Sequence, residues 1–172
     1  MENILVAVFN NESQAREASH ALEALGDVDT IGLNAAAIVT KSASGAISVT
    51  RTHRPARGGT LASTAVGSFI GMLGGGVGLI IGAATGLALG ASAAVFDKKV
   101  RRDFLADVER ALEPGKSAVV AQIEEQQTGP VNERMAALGG VVLRRALTDV
   151  ENQENAKKAA AIKRRLRGGH HV

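Results

Sequence analysis

The spacing of apolar residues predicts five strands and three helices outside a long uncharged segment in the middle of the chain. Short apolar runs bounded by Asn, Gly or Pro are typical of strands, and apolar residues three or four positions apart are typical of amphipathic helices. Strands are predicted at residues 4–9, 33–40, 46–52, 117–124 and 141–147. Helices are predicted at residues 12–25, 98–112 and 130–138.

Local signals predict several of the element ends. Asn11 followed by Gln14 has the spacing of a capping box, which predicts the start of the first helix, and Gly26 predicts its end. Gly45 lies between the second and third predicted strands, where glycine permits the positive φ of a tight turn. These two strands are therefore expected to be antiparallel neighbours.

The order of these elements predicts an α+β fold. Without the uncharged segment, the first six elements follow the order strand, helix, strand, strand, helix, strand, which is that of a ferredoxin-like sandwich. This interpretation places the helices together on one face of an antiparallel sheet. Residues 1–57 and 97–148 would form this discontinuous domain, residues 58–96 an inserted glycine-zipper helical hairpin, and residues 149–172 a basic C-terminal helix and tail.

The uncharged segment extends from Gly58 to Phe96 and is rich in glycine. Many of its glycines recur at intervals of four, which places them along one face of a helix. Each glycine within a helix costs about 0.8–1.0 kcal/mol relative to alanine, and small residues at this spacing allow two helix backbones to approach closely. The predicted helix-packing residues are Gly67, Gly71, Gly75, Gly78, Gly82, Gly86 and Gly90.

The bulky apolar residues of this segment, among them Phe69, Ile70 and Leu73, are expected to face lipid or a hydrophobic core. A break at residues 74–76, which are all glycine, would turn the segment into a helical hairpin. Because basic residues flank it on both sides, the positive-inside rule predicts insertion into the bacterial inner membrane from the cytoplasmic side. The alternative is a cytoplasmic oligomer whose hairpins pack into a common hydrophobic core.

The formal net charge of +3 conceals a separation of charge along the chain. Six basic residues and no acidic residue follow Glu154, so the rest of the chain carries a formal charge of about −3. Such a tail is either a solvated helix end or, because a membrane hairpin is predicted in the same chain, a segment that binds an anionic lipid surface. Nucleic acid is the less favoured partner. The predicted anionic-surface residues are Lys157, Lys158, Lys163, Arg164, Arg165 and Arg167.

Composition and spacing exclude several kinds of chemistry. The chain has no Cys, which excludes disulfide frameworks, thiolate metal sites and a cysteine nucleophile. The glycines of residues 74–82 lack the preceding strand and the following acidic residue of a dinucleotide site, and they lack the lysine of a P-loop. We therefore predict no cofactor.

The remaining candidates for acid–base chemistry or metal binding are isolated in the sequence. His20 and His53 are interpreted as surface residues because no carboxylate partner is evident. The carboxylate pairs are interpreted as solvated charges; they are Glu124 with Glu125 and Asp103 with Asp107. These observations predict neither catalytic residues nor a metal site, and the chain is expected not to be an enzyme.

Five segments in a fixed order resemble a known family. They are VAVFNNESQAREA, AAAIVTKSASGAISVTRT, GGGVGLIIGAATGLALG, DFLADVERALEPGKSAVVAQI and GGVVLRRAL. Over residues 4–147 the chain is similar to the bacterial family known as domain of unknown function 1269, whose members are described as predicted membrane proteins similar to general stress proteins. The resemblance implies an α/β domain interrupted by a glycine zipper, with no established activity.

These observations together predict a non-enzymatic, membrane-associated protein that self-assembles into a homo-oligomer through a glycine-zipper helical hairpin, with a role in the envelope or in stress response. One alternative is a soluble self-assembling scaffold whose hairpins pack together. Another is a small-molecule-binding ferredoxin-like domain, which would require polar groups gathered in a cleft.

Overall fold

The computed structural model describes residues 2–53, 65–74, 79–81 and 98–147. The elements of this part of the chain are, in order, β1 (Glu2–Phe9), α1 (Glu12–Asp27), β2 (Gly32–Lys41), β3 (Ile47–His53), α2 (Ala65–Gly74), β4 (Leu79–Ile81), α3 (Lys98–Ala111), β5 (Ser117–Glu124), α4 (Gly129–Ala137) and β6 (Val141–Ala146).

The described strands form one sheet with the order β4-β3-β2-β5-β1-β6. From β3 to β6 every neighbouring pair is antiparallel, whereas the three-residue strand β4 runs parallel to β3. Strands β1 and β5 lie inside the sheet and are buried along nearly their whole length. Their continuous apolar sequences are those expected of strands covered on both faces.

Helices cover both faces of the sheet. Alternate residues of a strand point to opposite faces, so Leu5 and Phe9 of β1 pack with α1 and α4, while Ile4 and Val6 pack with α2 and α3. The result is a three-layer arrangement with a separate hydrophobic core on each face of the sheet.

The predicted α+β class is confirmed, as are the existence and type of the strands and helices predicted outside the uncharged segment. The predicted antiparallel pairing of β2 with β3 is also confirmed. The ferredoxin-like sandwich is not confirmed. That prediction put the helices on one face of the sheet, whereas the described helices lie on both faces.

The local signals are mostly confirmed. Asn11 caps α1, because its side-chain oxygen accepts a hydrogen bond from the Gln14 backbone N–H at 2.9 Å. Gly45 has a φ of 86° in the turn between β2 and β3. The prediction that Gly26 ends α1 is wrong, since the helix continues to Asp27. The residue with positive φ after this helix is Asp29, at 56°.

The predicted helical hairpin is wrong in its second helix, the one that follows the break at residues 74–76, where residues 79–81 are described. Residues 79–81 form strand β4 and pair with residues 47–49 of β3. Leu-Ile-Ile contains two β-branched residues, which favour the extended backbone of a strand when an edge is available for pairing. The first helix of the predicted hairpin is present as α2. Residues 54–64, 75–78 and 82–97 lie outside the described part.

The predicted transmembrane helix is also wrong within the described residues, where no helix is both long and apolar enough to cross a membrane. Helix α2 has 10 residues, or about 15 Å at 1.5 Å per residue, whereas a bilayer core is about 30 Å thick. The predicted location in the inner membrane is therefore not supported. The predicted C-terminal basic helix, at 149–172, lies outside the described residues.

One glycine between α4 and β6 is required by packing, which gives a first prediction. A Cβ on Gly140 would lie 2.5 Å from Cε1 of Phe9 and 3.1 Å from the backbone oxygen of Met135. Phe9 is fully buried and cannot move away cheaply. We expect Gly140→Ala to lower the free energy of unfolding by about 1–3 kcal/mol, measured by urea denaturation.

The matched control is Gly26→Ala. A Cβ at this helical position would meet Cβ of Leu33 at 3.4 Å, an ordinary contact. Alanine is the better helix former, so this variant should be neutral or more stable by up to about 1 kcal/mol. Equal effects of the two substitutions would contradict the packing assigned to Phe9.

Candidate functional site

Helix α2 presents its bulky residues to the sheet. Val66, Phe69, Ile70 and Leu73 have the spacing of one helix face, and all four are buried in the core shared with α3. Phe69 contacts Phe104 of α3, with ring centroids 5.2 Å apart. Of the two environments predicted for these residues, the structure places them in a hydrophobic core.

Gly67 and Gly71 lie one turn apart on α2, and we call these two residues the glycine face. Gly67 is buried and Gly71 is half-buried. A Cβ built on Gly71 would meet no described atom within 4 Å, and the φ of this residue is in the range that L residues adopt. The described part of the chain therefore gives no packing reason for glycine at position 71.

The structure brings together two of the seven glycines predicted for helix packing, Gly67 and Gly71. The other five, Gly75, Gly78, Gly82, Gly86 and Gly90, lie outside the described residues. The same is true of the basic residues predicted to bind an anionic surface, Lys157, Lys158, Lys163, Arg164, Arg165 and Arg167.

A buried ion pair joins the end of β5 to strand β6. Glu125 follows β5 directly, and its side chain is only 2% exposed, while that of Arg144 is 19% exposed. Nη2 of Arg144 donates to Oε2 of Glu125 at 3.3 Å, and Nε lies 2.6 Å from Oε1 without the geometry of a hydrogen bond. This arrangement gives Glu125 a countercharge in a place from which water is excluded.

Two asparagines complete the group around this ion pair. Asn3 of β1 is buried and donates from its side chain to Oε1 of Glu125 at 3.1 Å. Nη1 of Arg144 donates to the side-chain oxygen of Asn132 on α4 at 2.9 Å. The network therefore ties β6 to β1, to α4 and to the end of β5, and its geometry is that of a structural contact.

The interpretation of Glu125 as a solvated charge is wrong. The signal for a buried acid lay on strand β6. Arg144 follows Val142 by two residues, and Val142 packs into a core. A strand residue on that face is directed toward the same core, and a charge there requires a partner. Which acid supplies it depends on the sheet order, which the sequence does not reveal.

The second arginine of β6 points to the opposite face. The Arg145 guanidinium lies over the Phe104 ring, 5.5 Å from its centroid. Its Nε atom is buried without a hydrogen-bond partner among the described residues, as is Oε1 of Gln122. Both arginines of this strand are thus folded onto the body of the protein.

A cleft of about 320 Å³ lies where β2 begins and β5 ends. It is lined by Asp29, Thr30, Ile31, Gly32, Glu124, Gln126, Gln127 and Pro130. Glu124 is exposed here, as predicted. Since polar side chains do gather in a cleft, the small-molecule-binding alternative stays a prediction.

The other polar candidates lie at the surface. His20 is exposed, with Nδ1 3.4 Å from a carboxylate oxygen of Glu23 on the same helix. Asp103 is exposed, and the half-buried Asp107 lies 3.5 Å from Nη1 of Arg110. The described residues contain no group of three or more His, Cys, Asp or Glu that could hold a metal ion.

Comparison with known proteins identifies a family of unknown function. The family model described as "Protein of unknown function (DUF1269)" matches residues 56–160, which is more than half of the chain. No curated protein and no solved structure matches. The matched range contains both the glycine face and the buried ion pair. It supports neither the membrane nor the stress description that the resemblance implied.

The burial of Glu125 gives a second prediction. Replacing Arg144 by Met leaves a carboxylate without its countercharge, which costs about 3–5 kcal/mol for a buried pair. We therefore expect Arg144→Met to lower the free energy of unfolding strongly, measured by urea denaturation. Adding Glu125→Leu should recover much of the loss, because both charges are then absent.

The chain contains a matched control for this experiment. Arg16 and Glu12 form an ion pair with the same N···O distance of 2.6 Å, but both side chains are about half exposed. We expect Arg16→Met to cost at most about 0.5 kcal/mol. If Arg144→Met cost no more than Arg16→Met, the structural role assigned to the buried pair would be wrong.

Proposed function

We propose that this chain, which belongs to the DUF1269 family of proteins of unknown function, is a non-enzymatic self-assembling protein whose copies pack together through the glycine face of α2. The proposal keeps the predicted homo-oligomer and places its contact on a helix that is attached to the sheet. It requires neither a cofactor nor a bound small molecule.

The observation that carries the proposal is the open space beside Gly71. Glycine in a helix costs about 0.8–1.0 kcal/mol relative to alanine, and a Cβ at this position would meet no described atom within 4 Å. Nothing in the described part of the chain offsets that cost. A second helix whose backbone lies against Gly71 would offset it, because the absence of a side chain permits closer contact.

The orientation of α2 supports the same conclusion. Four of its five bulky residues are buried against the sheet and α3, so they are not available to a partner, and the half-buried Met72 packs against the same core. A helix surface lined by glycine has no side chains to bury, but it allows another helix backbone to approach closely. The partner best suited to it is a second helix surface lined by glycine. A second copy of α2 provides that surface by two-fold symmetry.

The proposal extends to the glycine-zipper segment beyond α2. Gly75 lies four residues after Gly71, and Gly78, Gly82, Gly86 and Gly90 repeat the interval of four among themselves, with strand β4 between Gly78 and Gly82. If they belong to the same contact, the area between copies is larger than α2 alone provides. Their contribution rests on the spacing alone and is tested by substituting them after Gly71.

The test is the size of the protein in sedimentation velocity without detergent, over a range of concentrations. Gly71→Leu places a bulky side chain in the proposed contact, and we expect it to shift the assembly toward the monomer by tenfold or more in the dissociation constant, about 1.4 kcal/mol. The matched control is Ala106→Leu, on the exposed side of α3. An unchanged assembly with Gly71→Leu would refute the proposal.

A smaller substitution separates contact between copies from contact within one chain. If Gly71 faces a second copy, Gly71→Ala stabilises the monomer by up to about 1 kcal/mol and weakens the assembly. If Gly71 instead packs against its own chain, the same change destabilises the monomer in urea denaturation at low concentration, and the proposed contact is excluded.

A further inference from the structure

A cavity of about 220 Å³ lies where β2 ends and β3 begins, bounded by this hairpin and by helices α2 and α3. Among the described residues that line it, Ile47 of β3, Leu73 of α2 and Leu112 at the end of α3 are at most 6% exposed and form an apolar floor. Sites for drug-sized ligands measure about 300–1,000 Å³. The cavity therefore fits a smaller molecule with an apolar part.

One cation and one anion line the same cavity. Lys41, the last residue of β2, is half-buried, and Glu109 of α3 is exposed. Within the described residues neither side chain has an ion-pair partner, whereas the ammonium of the neighbouring Lys116 lies 3.2 Å from a carboxylate oxygen of Glu113. Opposite charges beside an apolar floor match a molecule that carries both charges and an apolar group.

The backbone of Lys41 is held by the loop that joins α3 to β5. Its N–H donates to the Lys116 carbonyl at 3.0 Å, and its carbonyl accepts from the Gly115 N–H at 2.7 Å. Lys41 follows Val39 by two residues, and Val39 packs into the core on the face of α2 and α3, so the alternation of the strand directs Lys41 to that face. The attachment point of the cation is therefore fixed before a ligand binds, which lowers the entropic cost of binding.

We propose that this cavity binds a free α-amino acid with an apolar side chain, such as leucine. The side chain of the ligand packs among Ile47, Leu73 and Leu112, where its apolar surface is removed from water. The α-carboxylate of the ligand bonds to the ammonium of Lys41, and its α-ammonium bonds to the carboxylate of Glu109.

The two charges distinguish this class of ligand from its closest chemical alternatives. A carboxylic acid with the same apolar part would place a negative charge near Glu109 without an ammonium to offset it. An amine with the same apolar part would leave Lys41 beside a like charge. A sugar has no apolar side chain to occupy the floor. An apolar amino acid satisfies the cation, the anion and the floor together.

The inference does not depend on the glycine face. Leu73 lines the cavity with a side chain that is buried against the sheet, whereas the contact between copies is assigned to the open space beside Gly71. Binding of the amino acid is therefore expected in the Gly71→Leu variant as well, so the two proposals can fail separately.

The test is a titration of the isotope-labelled full chain with leucine, followed through its amide signals in NMR spectra. We expect leucine to bind at least about tenfold more tightly than glycine, which lacks the apolar side chain. The same margin is expected over isocaproate and isoamylamine, which have the apolar part but lack the ammonium and the carboxylate respectively. No saturable shift with leucine, or equal affinity for leucine and any of the three other compounds, overturns the inference.

Lys41→Met tests the location of the site. Methionine keeps an unbranched apolar side chain at this half-buried position but removes the ammonium, and we expect the affinity for leucine to fall by about tenfold or more. The matched control is Lys116→Met in the adjacent loop, which removes a cation that pairs with Glu113 and should leave the affinity unchanged. Equal losses in the two variants would exclude the assigned role of Lys41.

A second variant keeps the inference testable if Lys41→Met does not fold. Glu109→Gln replaces an exposed side chain of α3 and removes the negative charge assigned to the α-ammonium. We expect this variant to bind isocaproate more tightly than the unchanged chain does, and to lose most of the preference for leucine over isocaproate. An unchanged preference would overturn the assignment of the ligand as an amino acid.

Discussion

The burial of β1 and β5 on both faces is the constraint on which the rest of the structure depends. These strands are apolar at successive positions, so neither face can be left to water. Helices α1 and α4 cover one face, and the second face is covered by α2 and α3. Helix α2 is thus part of the core, and not of the membrane hairpin predicted for this uncharged segment.

This constraint explains why the bulky side of α2 is directed inward. Phe69 packs against Phe104 of α3, and Ile70 and Leu73 lie in the same core. Once these residues are buried, Gly71 and Met72 are the half-buried positions of α2 among its described side chains. One side of α2 therefore packs into the sheet of its own chain. On another side, at Gly71, the helix backbone has no described atom packed against it.

The sequence was sufficient to predict the strands and helices that follow regular periodicity, including β5 at residues 117–124. It was not sufficient for the sheet order, because antiparallel strands with similar apolar faces can pair in several ways. The assignment of Glu125 failed for that reason, since its partner Arg144 becomes a neighbour only through the order β5-β1-β6. Residues 79–81 were mispredicted because the glycine interval suggested a helix, while the pairing edge of β3 decided otherwise.

The two ends of the sheet differ in length, and this asymmetry limits how far a sheet can grow. Within the described residues, β4 at one end has three residues and β6 at the other end has six. A short edge strand offers few backbone groups to an incoming chain and is one of the ways in which natural sheets resist fibre formation. Within the described residues, the end of the sheet that β4 forms therefore offers an incoming strand few backbone groups, which opposes growth of the sheet from that side.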